Sequence, residues 1–194
     1  MAVTVFVWYP KKGNIGHATL LVAGGVYVSW WPSRDDAGVS SKNMQKWGNA
    51  AGMFGSTAEA SSMTADKKME GHRNPDWASA PIEGLDEAKI NQWYQDLSPK
   101  SPMGASRHTP VRTVGTYSLL DKQCSSTVVE ALIVGGLSAW KFPLAYTLLF
   151  KTTYVTPLDV KDIASAMTHE VGFFEAGRLL ATPVGTNLVK HIAN

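Results

Sequence analysis

The chain has 194 residues, 44% of them hydrophobic, and a formal net charge of +2 with its basic residues scattered rather than gathered. That is enough to bury the core of one domain, and nothing in the chain divides into two independently patterned halves. The weak, dispersed charge gives no electrostatic footprint for nucleic acid, and a single cysteine excludes an internal disulfide.

In chain order, Val3-Thr4-Val5-Phe6-Val7-Trp8 is β-branched and weakly alternating and predicts a first strand. It has no basic segment ahead of it and no small-residue cleavage pattern behind it, so it is read as a strand and not as a signal peptide. A turn at Lys11-Lys12-Gly13-Asn14 leads to a second strand over about Ile15 to Val22, and Gly24-Gly25 separates that strand from Val26-Tyr27-Val28-Ser29-Trp30-Trp31. This is the strongest hairpin signal in the chain. Alternation puts His17 on one face with Thr19 and Leu21, and Ser29 on one face with Tyr27 and Trp31; the hairpin is expected to bring His17 and Ser29 to nearly opposite positions.

From Ser33 to Ala80 there is little periodicity and much Gly, Ala, Ser and Met, which predicts an insertion over about 33–80 that either covers a substrate or is disordered. Asp86 then caps a helix with Ile90, Trp93, Tyr94 and Leu97 at core spacing. A Pro- and Gly-punctuated connection follows, with a short strand at Val111 to Val114. The sole cysteine opens an amphipathic run, Cys124 to Leu132, that ends at Gly135-Gly136. Phe142 to Phe150 is apolar but too short to span a bilayer. Thr156-Pro157-Leu158-Asp159 supplies an N-cap, an N1 proline and an N3 acid, so a helix is expected over Leu158 to Ala166; His169 to Leu188 is expected to be mostly helical, with a break near Pro183.

Two residues carry the chemistry. Cys124 falls in the first turn of a helix, where partial positive charge and free N–H groups lower a thiol pKa and can hold an oxyanion. His17, on a strand, supplies an imidazole base. A lone cysteine in a buried stripe is also an ordinary small hydrophobe, but that role does not call for Gln123 before it and Ser125-Ser126 after it. Ser29 is the nearest polar side chain on the strand after the histidine and is taken as the third member; His108, on a connection whose path is not readable, is held in reserve. No cofactor or metal site is expected: His169-Glu170 lacks the second histidine of a zinc-protease helix, and Asp35-Asp36 reads as a solvated turn.

Gly16-His17-Ala18-Thr19-Leu20, the strand Tyr27 to Pro32, and Gln123-Cys124-Ser125-Ser126 opening a helix resemble the circularly permuted NlpC-like branch of the papain fold, which includes the lecithin:retinol acyltransferase group and bacterial toxin or secretion-effector domains. The similarity covers roughly residues 1–32 and 117–166. It implies a single catalytic domain over 1–194 with a permuted papain-like α+β fold, its antiparallel sheet packed on the cysteine helix. It also implies a Cys–His hydrolase, a peptidoglycan or lipid substrate, export by a dedicated secretion system after synthesis in the cytoplasm, and an immunity protein and a secretion carrier as partners. A host or rival protein as substrate, and a non-catalytic binding module on the same scaffold, remain open alternatives.

Overall fold

In the computed structural model, described for residues 2–11, 16–32, 54–97, 104–106, 109–111, 113–118, 123–149 and 155–180, the N-terminal hairpin is the centre of the main sheet. β1 (Val3–Trp8) pairs antiparallel with β2 (His17–Val22), from Val3 opposite Val22 to Trp8 opposite His17. Val3, Val5 and Val7 are buried, as β-branched residues at period two should be when one face meets a core. β3 (Tyr27–Val28) flanks β2 and β6 (Trp77–Ala78) flanks β1, giving the order β3-β2-β1-β6.

The expected hairpin at Gly24-Gly25 is present, with Leu20 opposite Val28 and Leu21 opposite Tyr27. Two details differ from the expectation. Continuing that register puts Thr19, not His17, opposite Ser29. The strand is also broken at Ser29, and its continuation, β4 (Trp30–Pro32), joins a second sheet of order β4-β5-β9, with β5 at Phe54–Ala60 and β9 at Thr113–Ser118. The break has a local cause: the Tyr94 hydroxyl accepts from the Ser29 N–H (3.2 Å) and donates to the Ser29 carbonyl (2.9 Å), satisfying both backbone groups that a ladder would otherwise use. β7 (Gly104–Ser106) and β8 (Thr109–Val111) form a separate ribbon, so the expected strand near Val111 divides between β8 and β9.

Three of the helices pack on the main sheet. α1 (Met63–Met69) is capped by Ser62, and α2 (Glu87–Asp96) by Asp86, with Ile90 and Tyr94 buried as their spacing predicts. α3 (Cys124–Val134) packs against β2, α2 and a long C-terminal helix, α5 (Pro157–Leu180), and buries Val128, Ala131 and Leu132 among Val5, Leu20, Ile90, Ile163 and Met167. Thr156 and Asp159 form the expected reciprocal cap on α5. α5 runs unbroken through His169 to Leu180, and Pro183 lies outside the described residues. α4 (Pro143–Leu149) starts where Glu170 of α5 accepts from the Leu144 and Ala145 N–H groups, which gives that acid a capping role. Helices and antiparallel sheets together make an α+β architecture. No helix among the described residues is long and apolar enough to cross a membrane.

Residues 54–80, the second half of the expected insertion, supply β5, α1 and β6. This part of the segment is built into both sheets, and its elements are too short for sequence periodicity to register.

Gly16 sets the entry to β2. Its φ is +82°, and a Cβ there would lie 2.6 Å from the Trp8 carbonyl oxygen. Gly24 has a similar φ of +72° but open space around it. Gly24→Ala should therefore cost about 1 kcal/mol of left-handed strain, and Gly16→Ala should cost more, on the order of 2–3 kcal/mol. Urea denaturation of both variants checks the order; equal losses would contradict it.

Candidate functional site

Four elements deliver the side chains of one cluster: β2 begins with His17, which is fully enclosed; β3 and β4 carry Tyr27 and Trp31, with Ser29 at the break between them; and α3, distant in sequence, begins with Cys124, 4% exposed. Cys124 occupies the first helical position because Gln123 is the N-cap: the Gln123 Oε1 accepts from the Ser125 N–H at 2.9 Å, and the Ser126 hydroxyl accepts from the Gln123 N–H at 2.9 Å. The Gln123 Nε2 donates to the Val155 carbonyl, which ties this helix tip to the start of α5.

The expected pair comes together. His17 and Cys124 lie close enough for each to shift the pKa of the other, with α3 packed on β2, and the Cys124 Sγ donates to the Gln123 Oε1 at 3.4 Å. Ser29 is present too, its Oγ 3.2 Å from His17 Nε2. His108 lies outside the described residues.

The sequence reading missed Asp66. This residue of α1 is completely buried, with its Oδ2 3.4 Å from His17 Nε2. Its carboxylate accepts from the Tyr27 hydroxyl at Oδ2 and from the Trp31 indole N–H at Oδ1, both at 2.7 Å, and the Ser61 side chain adds a further hydrogen bond. Trp31 also stacks on the His17 ring, with centroids 4.1 Å apart.

The electrostatics follow from this arrangement. Burial works against charge on His17, but the Asp66 carboxylate and then the Cys124 sulfur outweigh it, and the imidazole pKa is raised from 6.5 to about 10. Burial also pushes the Cys124 thiol up, yet the facing His17 imidazolium brings it below its ordinary value, helped by the Ala18 N–H and the Ser125 hydroxyl. Asp66, which burial alone would raise, is held below the usual carboxylate range chiefly by His17. Burial first and Asp66 second lift Tyr27 above the ordinary phenol range, so it remains a neutral donor. The other three shifts all favour charge: in one cluster the thiol is lowered, the imidazole raised and the carboxylate lowered.

The sign for stability follows from linkage. The raised His17 contributes fully below 6.5, and its contribution is lost as pH rises through about 10; the lowered Asp66 contributes above its unfolded value and is lost on acidification.

Among the described residues no group of three or more His, Cys, Asp or Glu is placed to hold a metal ion. No protein-family model, no curated protein and no solved structure matches the chain.

Removing the carboxylate should release the imidazole. Asp66→Asn is expected to lower the His17 pKa from about 10 by well over one unit, followed by NMR titration of the ring. Ser29→Ala, which removes one neutral hydrogen bond of about 1 kcal/mol, should move it far less. A His17 pKa that stays put in Asp66→Asn would mean that the carboxylate is not what holds the charge.

Proposed function

We propose that the chain is a cysteine hydrolase that cleaves an amide bond, with Cys124 as nucleophile, His17 as general base and acid, and Asp66 and Ser29 as the groups that orient His17. The observation that carries this reading is a buried helix-tip thiol whose pKa is lowered by a neighbouring imidazole, itself paired at 3.4 Å with a fully buried carboxylate. A structural cysteine has no use for such a chain of charges, and burying it without compensation is costly.

In the proposed reaction His17 holds the thiol proton, and the Cys124 thiolate attacks the carbonyl carbon. The tetrahedral oxyanion is bound at the N-terminus of α3, with the Cys124 N–H as one donor. His17 gives its proton to the leaving amine, the C–N bond breaks, and a thioester remains on Cys124. Water, deprotonated by His17, then attacks the thioester; the C–S bond breaks, the acid leaves, and Cys124 returns as thiolate beside protonated His17.

The substrate rests on resemblance. Gly16-His17-Ala18-Thr19-Leu20 and Gln123-Cys124-Ser125-Ser126 are similar to motifs of the permuted NlpC-like enzymes, which favours a permuted papain-like fold, peptidoglycan stem peptides as substrate and a secreted antibacterial effector as the biological role. Delivery by a secretion system and neutralisation by an immunity protein belong to the same proposal. A lipid acyl hydrolase is the second reading, supported by the similarity to the lecithin:retinol acyltransferase group and by the strong exposure of Trp140 and Leu144. The buried Asp66 carboxylate beside His17 favours the catalytic reading over a non-catalytic binding module.

Purified protein is to be incubated with peptidoglycan fragments and with phospholipid vesicles, and the products read by mass spectrometry. Cleaved stem peptides are expected; fatty acid or lysolipid instead would transfer the reading to the lipid class, and no product from either would contradict both. Cys124→Ala should abolish turnover with the fold intact, and His17→Ala should be nearly as severe. Ser29→Ala should cost roughly five- to tenfold and Asp66→Asn roughly a hundredfold or more.

A further inference from the structure

Besides the hydrogen bonds that Tyr27 and Trp31 make to Asp66, the chain just after α1 is fastened to the end of β1, and the fastening converges on one side chain outside the cluster. Glu70 lies one turn after Asp66 on the same helix face, its N–H donating to the Asp66 carbonyl at 2.8 Å. The Glu70 carboxylate is buried and paired with Arg73: Nη2 lies 2.7 Å from Oε2, and the Arg73 Nε donates to the Glu70 carbonyl at 2.9 Å. The same guanidinium donates from Nη1 to Asp76 Oδ2 at 2.8 Å and from Nη2 to the Tyr9 carbonyl at 3.5 Å. Asp76 in turn accepts from the Tyr9 N–H at 2.8 Å and from Lys11 Nζ at 2.9 Å.

The backbone of Arg73 closes the loop on the other side. Its carbonyl accepts from the Trp8 indole N–H at 3.2 Å; Trp8 is the register partner of His17, and its ring is tilted against the imidazole at 5.7 Å between centroids. One residue therefore grips the helix that carries Asp66 and the strand end that backs His17. A planar fork with five donors suits this, because it can hold Glu70, Asp76 and Tyr9 in fixed directions at once.

We propose that Arg73 is a positioning residue for the site, setting the separation of the Asp66 carboxylate from the His17 imidazole by clamping α1 to the end of β1. The inference rests on reading His17 and Asp66 as parts of the reacting cluster. Displacements of about 1 Å matter at such a contact, since the charge interaction and the alignment of the reacting groups both fall off quickly.

The test uses the whole chain. Arg73→Met keeps the aliphatic stem and removes the fork, but it leaves the Glu70 carboxylate buried without its cation. It is therefore compared with Glu70→Gln alone and with the double variant, in which that charge is gone. Two readouts are taken without substrate: the His17 pKa by NMR titration and the fraction of Cys124 present as thiolate, by ultraviolet difference absorbance. In Arg73→Met the His17 pKa should fall by about one unit or more and the thiolate fraction at neutral pH should drop with it. In the double variant thermal stability should recover while both readouts remain low. Arg73→Lys, which can meet Glu70 but not all three partners, should fall between. The proposal is overturned if the His17 pKa in both Arg73→Met backgrounds equals that of the wild type, or if it returns in step with stability in the double variant. Because no substrate enters, an inactive wild type would overturn the hydrolase reading and not the clamp.

Discussion

A carboxylate with no exposure to water is the constraint around which the rest of this structure is organised. An uncompensated buried charge costs several kcal/mol, so Asp66 requires partners from elsewhere in the fold, and it has them in His17, Tyr27, Trp31 and Ser61. Each requirement fixes an element. Tyr27 and Trp31 lie on one side of the same extended segment, so one carboxylate holds β3 and β4 across the break at Ser29. His17 is held at Nε2 by Asp66 and on its face by the Trp31 ring, and its charge lowers the Cys124 thiol.

The cysteine side depends on packing more than on charge. α3 is buried on most of its surface, and its contacts with β2, α2 and α5 leave it no freedom to slide. The Gln123 cap then decides which residue is first in the helix, and that residue is Cys124. Sheet and helix thus meet where β2 starts and α3 starts. A strand end with an imidazole and a helix tip with a thiol are brought into one buried cluster.

His17 and Cys124 were legible in the sequence because their signals are local: a strand with a Gly-Gly turn after it, and a polar cap before an apolar helical run. Asp66 was not. Its helix has only seven residues, too few to show a period, and the residues it binds are remote, Tyr27 by 39 positions and Trp31 by 35. An aspartate in a polar stretch reads as solvated, and only the tertiary structure makes it buried. The break at Ser29 was hidden for the same reason, since Tyr94 acts from 65 positions away. Ser62 ahead of Met63 was the one available sign of α1, and a lone serine in a Ser- and Ala-rich segment carries little weight. The cap at Thr156 was readable because cap, proline and acid agree within four residues, and the cap at Asp86 because an aspartate opens a run with core spacing.

The central claim is that Cys124 is held as a thiolate by a protonated His17. Ultraviolet thiolate absorbance measured across pH, as the difference between wild type and Cys124→Ser, tests it without any assumption about substrate. The account predicts thiolate already present well below the ordinary thiol value of 9.0, in keeping with the lowered pKa of Cys124. A thiolate signal that appears only around or above 9.0 would contradict it and return Cys124 to the role of a buried core side chain.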